Sequence, residues 1–249
     1  MAQREYIYRR NAVREALRSE RRKLFALWTQ KGLPKKEASP FLQLARQRGI
    51  RIQEANKQKL GNLVKDSGHQ GVVLEVAPFA YAGIEDMLAL AAVRDEAPLL
   101  LVLDLVQGPQ NVGMLARSAE AVGAHGIIMQ DRRAPDITPA MTIASAGATE
   151  HLLIAKVTNL NQTLNQLKAE GVWVVGTAMD KEAVQLGEFD LNRPIALVIG
   201  HEGSGLRHQV RNHCDVLITL PMKGKVESLN AAMSGSILLY AAWQARGFN

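Results

Sequence analysis

The chain has 249 residues, 47% of them hydrophobic, enough to bury a sizeable core in one large domain or two unequal ones. No apolar run approaches the roughly 18 residues of a membrane span. The polar N-terminus MAQREYIYRRNAVREALRSERRK does not read as a secretory signal, and the single Cys214 excludes an internal disulfide framework and fits a reducing, cytoplasmic setting. The net charge of +6 is uneven, with a basic series from Arg9 to Lys59. Such a series attracts polyanions, because neutralising phosphates releases their counterions.

In chain order, residues 1–78 read as a small α/β unit. RNAVREALRS has helical spacing, with Val13, Ala16 and Leu17 on one face and arginines on the other. KLFALWT is a short strand, and SPFLQLARQRG is a helix begun by Ser-Pro and ended at Gly49. IRIQEA is a strand, and QKLGNLVKDSGHQGVVLEVAPF gives a short helix, a glycine-rich turn and the strand Val72 to Val76. Residues 79–97 form a linker with a short helix over 84–93.

From residue 98 to 249 strands and helices alternate. LLLVLDLV and IALVIG are continuous apolar strands, as in a sheet buried on both faces. Between and after them come helix NVGMLARSAEAVGA, strand GIIMQ, small-residue helix TPAMTIASAGA, strand LLIAKV, helix LNQTLNQLKAEG and strand VWVVGTAM. RHQVRNHC is a short helix, DVLITLP a strand, and the final stretch a long helix. The alternation predicts a mostly parallel sheet covered on both faces.

Ligands of open α/β sheets sit at the carboxyl ends of strands, and three loops fall there: DLVQGPQNVGMLAR, GHEGSGL and LPMKGKVESLNAAM. Each joins a strand to a helix, where backbone N–H groups are free. The dinucleotide fingerprint is absent, because GHEGSG has the order G-x-x-G-x-G and follows a late strand. MKGKVES lacks the spacing of a phosphate-binding P-loop, and His208, His213 and Cys214 fit no common zinc pattern, so no metal is expected.

Taken together the loops resemble something specific. NVGMLARSAEAVGA (Asn111, Gly113, Arg117, Ala119, Gly123), IGHEGSGL (Gly200, Glu202, Gly203, Gly205) and LPMKGKVESLNAAM (Pro221, Met222, Gly224, Ser228, Leu229, Asn230) resemble, in order, the three signature motifs of the SpoU, or TrmH-like, RNA ribose 2′-O-methyltransferases. The resemblance implies a SPOUT-type catalytic domain with a C-terminal trefoil knot, acting as a homodimer. It also implies that residues 1–78 are an L30-like substrate-binding domain. The implied cofactor is S-adenosylmethionine, held by Ile199, Gly200, Leu220, Met222, Ser228, Leu229 and Asn230. Arg117 takes the catalytic role, as activator of the ribose hydroxyl or as a clamp on the target phosphate. Asn111 braces Arg117 or its loop, Glu202 orders the second loop or Arg117, and Ser228 and Asn230 cap the last helix and hold cofactor or ribose. The two-domain form resembles the branch that modifies a guanosine of 23S ribosomal RNA, with transfer RNA as the alternative substrate. Arg9, Arg10, Arg14, Arg21, Arg22 and Lys23 are the expected RNA contacts. A non-catalytic RNA-binding or ribosome-assembly factor on the same fold is the alternative from another class.

Overall fold

The computed structural model describes residues 3–132, 134–179, 183–225 and 228–248. Two compact units form: residues 1–80 with 136–151, and residues 81–135 with 152–249.

The first unit opens with β1 (Glu5–Tyr8), α1 (Arg10–Arg18), β2 (Leu24–Gln30), α2 (Lys35–Gln47), β3 (Arg51–Ala55), α3 (Lys57–Val64) and β4 (Val72–Val76). Its sheet runs β1-β4-β2-β3, with β4 antiparallel to both neighbours and β2 parallel to β3. Val72, Leu74 and Val76 alternate with Val73 and Glu75, so one face packs with Ile7 and Leu27 against α1 and α2. On the other face Val73 packs with Leu60 of α3, beside Tyr6, Tyr8 and Trp28.

Two local expectations change here. β1 lies in a stretch the sequence left unassigned, although Ile7 is wholly buried within it. And α2 starts at Lys35, with Pro40 inside it, rather than at Ser39-Pro40. Ala38, Phe41 and Ala45 recur at helical spacing and are all buried, so packing of that stripe carries the helix through a proline that donates no backbone hydrogen bond.

The second unit holds α4 (Ile84–Arg94), β5 (Leu99–Leu103), α5 (Pro109–Ala121) and β6 (Gly126–Gln130). The chain then contributes α6 (Pro139–Ala144) and a single 3-10 turn, Ala148–Glu150, to the first unit. Residues 136–151, which the sequence reading placed with the C-terminal part, thus pack beside β1 and α1, with Ile143 against that core. The second unit resumes with β7 (Ile154–Val157), α7 (Leu160–Ala169), β8 (Trp173–Thr177), the two-residue β9 (Val184–Gln185), β10 (Ile195–Ile199), α8 (His208–Arg211), β11 (Val216–Thr219) and α9 (Ala231–Ala245).

Its seven strands run β7-β6-β5-β10-β8-β11-β9, and every pair is parallel. Every residue of β5 and of β10 is buried, as their unbroken apolar sequences predict for central strands. Ile84, Met87, Leu160, Leu164 and Leu167 cover one side of the sheet. On α9, Gly235 permits close packing: a Cβ there would displace the Leu115 side chain of α5 and crowd Ile199 of β10. The hydroxyls of Ser118 on α5 and Ser236 on α9 lie 2.7 Å apart and tie the two helices.

Candidate active site

The parallel sheet sends the loops after β5, β10 and β11 to one end, where their side chains meet. Asn111 lies in the first turns of α5. Its Nδ2 donates to Glu202 Oε2 at 3.2 Å. Asn230 Nδ2 donates to Asn111 Oδ1 at 3.1 Å and to Glu202 Oε1 at 2.9 Å. Asn230 Oδ1 meanwhile accepts the N–H groups of Ala232, at 2.8 Å, and Met233, at 3.3 Å, and so caps α9. One residue from each motif therefore closes a triangle. Glu202 is held by the two asparagines, and Asn111 braces the second and third loops. Arg117, six residues beyond Asn111 on α5, is exposed and has no hydrogen-bond or ion-pair partner among the described residues. Among the described residues Ser228 makes no capping bond; it is exposed and lines the cavity described next.

A cavity of about 390 Å³ opens beside the triangle. Ile199, Gly200, Leu220, Met222, Ser228 and Leu229, six of the residues expected to hold the cofactor, line it together with residues 201–206. The seventh, Asn230, stands just behind the wall in the triangle. Ala231 and Ser234 of α9 also line it, and Thr177, Ala178, Met179, Arg211 and Ile218 complete the lining from outside the motifs. The loop after β10 is closed by two backbone bonds between His201 and Gly205, of 3.0 and 2.9 Å. A Cβ on Gly200 would strike the Gly205 backbone, so only glycine permits that turn. An apolar, backbone-rich pocket of this size suits an adenosyl group, which is recognised by stacking surface and main-chain polar atoms.

The second loop has a further anchor absent from the sequence reading. Asp104, fully buried at the end of β5, accepts from Arg207 N at 2.8 Å and from Arg207 Nε at 2.6 Å, and its Oδ1 lies 2.6 Å from Arg207 Nη2. The guanidinium converges on one carboxylate oxygen and the backbone N–H takes the other, so Asp104 holds the end of the loop at Arg207. An aspartate terminating an otherwise apolar strand was the available signal.

Cys214 donates to the Val210 carbonyl at 3.4 Å, and burial pushes its thiol up to about 12. Among the described residues no group of three His, Cys, Asp or Glu side chains is arranged to hold a metal ion. Among the described residues no helix is long and apolar enough to cross a membrane.

The basic residues of the first unit behave differently from one another. Arg9 and Lys23 are exposed, and Lys23 lies 5.7 Å from the Phe25 ring centre. Arg14 stacks over Phe41, Arg21 stacks over Phe79 and donates to the Ala80 carbonyl, and Arg10 pairs with Glu37 and reaches the Gln70 carbonyl. Arg22 corrects the expectation of an RNA contact. It is 4% exposed, donates to Glu5 at 2.9 Å and to the Ala77 carbonyl, and lies 3.1 Å from Glu150. Burial pushes the Glu150 carboxyl up, against the pull of Arg22.

The fold and loop-lined cavity define a class of known structures. The SpoU methyltransferase AviRb from Streptomyces viridochromogenes, solved in complex with AdoMet, superposes with a TM-score of 0.80 at 25% identity, over 99% of this chain and 92% of that one. The chain belongs to the SpoU rRNA methylase family, whose model matches residues 98–240; a second model, for RNA 2′-O ribose methyltransferase substrate binding, matches residues 6–82. A Bacillus subtilis protein named for the TrmH family of tRNA/rRNA methyltransferases, YacO, is 44% identical over 98% of this chain and 97% of its own length. The 23S rRNA (guanosine-2′-O-)-methyltransferase RlmB of Pseudomonas syringae is 38% identical over 99% of this chain and 98% of its own. This protein is accordingly an RNA methyltransferase that uses S-adenosylmethionine.

Proposed function

We propose that the protein methylates a ribose 2′-hydroxyl of RNA, at a guanosine of 23S ribosomal RNA. The observation that carries this reading is the Asn111–Glu202–Asn230 triangle, which joins the three motifs beside the cavity. The 23S specificity is supported by the near full-length likeness to the Pseudomonas enzyme. Transfer RNA is the competing substrate, since the Bacillus relative is named for both RNAs.

When bound, S-adenosylmethionine supplies a sulfonium methyl group to the attacking hydroxyl. The cavity residues Ile199, Leu220, Met222 and Leu229 give the adenosyl group an apolar bed and exclude water. Arg117 fixes the phosphate and ribose of the target nucleotide. A guanidinium stays protonated in nearly all proteins, so orientation and charge, rather than proton abstraction, are its contribution. The triangle keeps the three loops at one spacing while the hydroxyl is aligned.

The same reading includes the SPOUT knot, the L30-like character of the first unit, the domain division 1–78, 79–97 and 98–249, apart from residues 136–151, which pack with the first unit, and a cytoplasmic homodimer. Support for the dimer lies on α9, where Met233, Ile237 and Tyr240 follow helical spacing and are 53%, 42% and 46% exposed. Exposed Met114 on α5 extends the apolar character of that helix pair. Mapping 2′-O-methyl sites in total RNA with and without the protein tests the substrate. Loss of one guanosine mark in 23S RNA supports the reading, and loss of a mark confined to transfer RNA replaces it.

A further inference from the structure

Two further hollows lie in the first unit, both walled by the loop 65–71 between α3 and β4. The wall of one, of about 490 Å³, includes Arg10, Gln30, Leu33 and Gln70. That of the other, of about 750 Å³, includes Asn62, Lys65 and Asp66. Lys57, Ser67 and His69 line both, so the two hollows adjoin.

The loop is held from within. Asp66 accepts from the Tyr8 hydroxyl and from the Gly68 N–H, each at 2.7 Å. Arg10 donates its backbone N–H to Gln70 Oε1 at 3.0 Å and its Nε to the Gln70 carbonyl at 3.3 Å. Three non-glycine residues at this corner, Arg9, Lys65 and Gln70, take φ values of 68°, 54° and 55°. Backbone in that region costs free energy, and such residues cluster where a fold shapes a ligand clamp.

His69 carries the second observation. It is 1% exposed, and its Nδ1 accepts the Gly71 N–H at 3.1 Å. Its Nε2 is buried with no hydrogen-bond partner among the described residues. A buried polar atom left unbonded is costly, and Nε2 is the ring nitrogen left for a ligand. The charge around it is basic. Lys57 and Lys65 are exposed, Arg10 is matched by Glu37, and both Asp66 oxygens are engaged inside the loop. Cations at the rim suit a phosphate. The amides of Gln30 and Gln70, the Ser67 hydroxyl and the imidazole suit the edge of a base, with Leu33 as an apolar wall. Only an unstacked base can offer that edge, because an A-form duplex keeps its bases out of reach of such a hollow.

We infer that the first hollow takes one unstacked nucleotide of the substrate RNA, with its base bonded to His69 Nε2 and its phosphate held by Lys57. This rests on the reading of the first unit as the RNA-binding part of the methyltransferase. The loop 65–71 then selects single-stranded over duplex RNA.

The test is filter binding of the full chain to a mixed-sequence single-stranded oligoribonucleotide and to an RNA duplex of the same length. The proteins are the wild type, His69→Asn, Lys57→Ala and, as a control for loss of one exposed charge, Lys36→Ala on α2. An asparagine oxygen can accept the N–H two residues on, so His69→Asn keeps the Gly71 bond, holds its melting temperature and loses only Nε2. His69→Asn and Lys57→Ala should each weaken single-strand binding about fivefold, the scale of one lost hydrogen bond. Their duplex binding should stay near that of the wild type. Should His69→Asn fail to fold by circular dichroism, Lys57→Ala set against Lys36→Ala decides the matter. Equal single-strand binding in wild type and Lys57→Ala, or equal losses in Lys57→Ala and Lys36→Ala, overturns the inference and leaves the first unit as an RNA binder. Absence of binding to either RNA by the wild type overturns the RNA-binding reading and this inference with it.

Discussion

The Asn230 side-chain amide donates to Glu202 at 2.9 Å while its carbonyl oxygen caps α9. One side chain therefore sets both the start of the last helix and the position of the second loop. Glu202→Gln replaces a carboxylate that accepts two amide donors by an amide that can accept at one end only. Charge-assisted hydrogen bonds contribute about 1.5–3 kcal/mol, so methyl transfer is expected to fall about tenfold or more. Circular dichroism and the melting temperature should change little. Asn230→Asp, which puts two carboxylates in contact and removes the donor, should lose more; activity equal to wild type in both variants would contradict the bracing role.

Arg117 stands outside the cavity lining and has no hydrogen-bond or ion-pair partner among the described residues. Arg117→Ala should lower methyl transfer about a hundredfold or more, the scale of a lost orienting contact, with the dissociation constant for S-adenosylmethionine unchanged. Arg117→Lys should restore little, because an ammonium cannot present the planar fork that grips phosphate oxygens. Single-turnover kinetics alongside calorimetry separates the two effects.

Asp104 and Arg207 make a prediction of a different kind. Asp104→Ala leaves the Arg207 guanidinium without its counter-ion beside a dry strand end. Arg207 is 35% exposed, so the loss is that of hydrogen bonds to a charged group, about 1.5–3 kcal/mol, and a lower urea midpoint is expected. Weaker cofactor binding should accompany it, because the pair closes the loop that lines the cavity.

Ala232 is fully buried, and Ala231 lines the cavity. Ala232→Leu adds volume where α9 has no space, a cost of about 1–3 kcal/mol, read as a lower melting temperature. Ala231→Leu should reduce S-adenosylmethionine affinity with a smaller change in stability. An unchanged affinity in the latter would place the cofactor elsewhere.

Within the first unit, Arg22→Ala should destabilise by about 3–5 kcal/mol by leaving Glu150 buried without its partner. Arg9→Ala and Lys23→Ala should stay within about 0.5 kcal/mol of wild type. Those two variants should instead weaken RNA binding and flatten its salt dependence, as measured by filter binding across ionic strength.

The apolar strands and the motif residues were legible from the chain because their signals are local: Leu99 to Leu103 is a run of buried positions, and Asn230 precedes a helix it caps. What stayed hidden depends on partners far away in sequence. Nothing in the run of arginines from Arg9 to Arg22 shows that Arg22 lies between Glu5 and Glu150 while Arg9 faces solvent. The reach of Asp104 to Arg207, the start of α2 ahead of Pro40, and the packing of residues 136–151 with β1 are likewise decided by tertiary burial rather than by local pattern.

The bond between Asn111 and Asn230 spans 119 positions, and that between Ser118 and Ser236 spans 118. Contacts of such separation are costly to close and form late in folding. β5, β6 and β7, neighbours in both sequence and sheet, can therefore pair before any binding site exists, and the docking of α9 is the step that creates it. Cofactor binding then doubles as a reporter of completed folding: a ligand that recognises only the docked helix raises stability by mass action and acts as a late clasp on the whole parallel sheet.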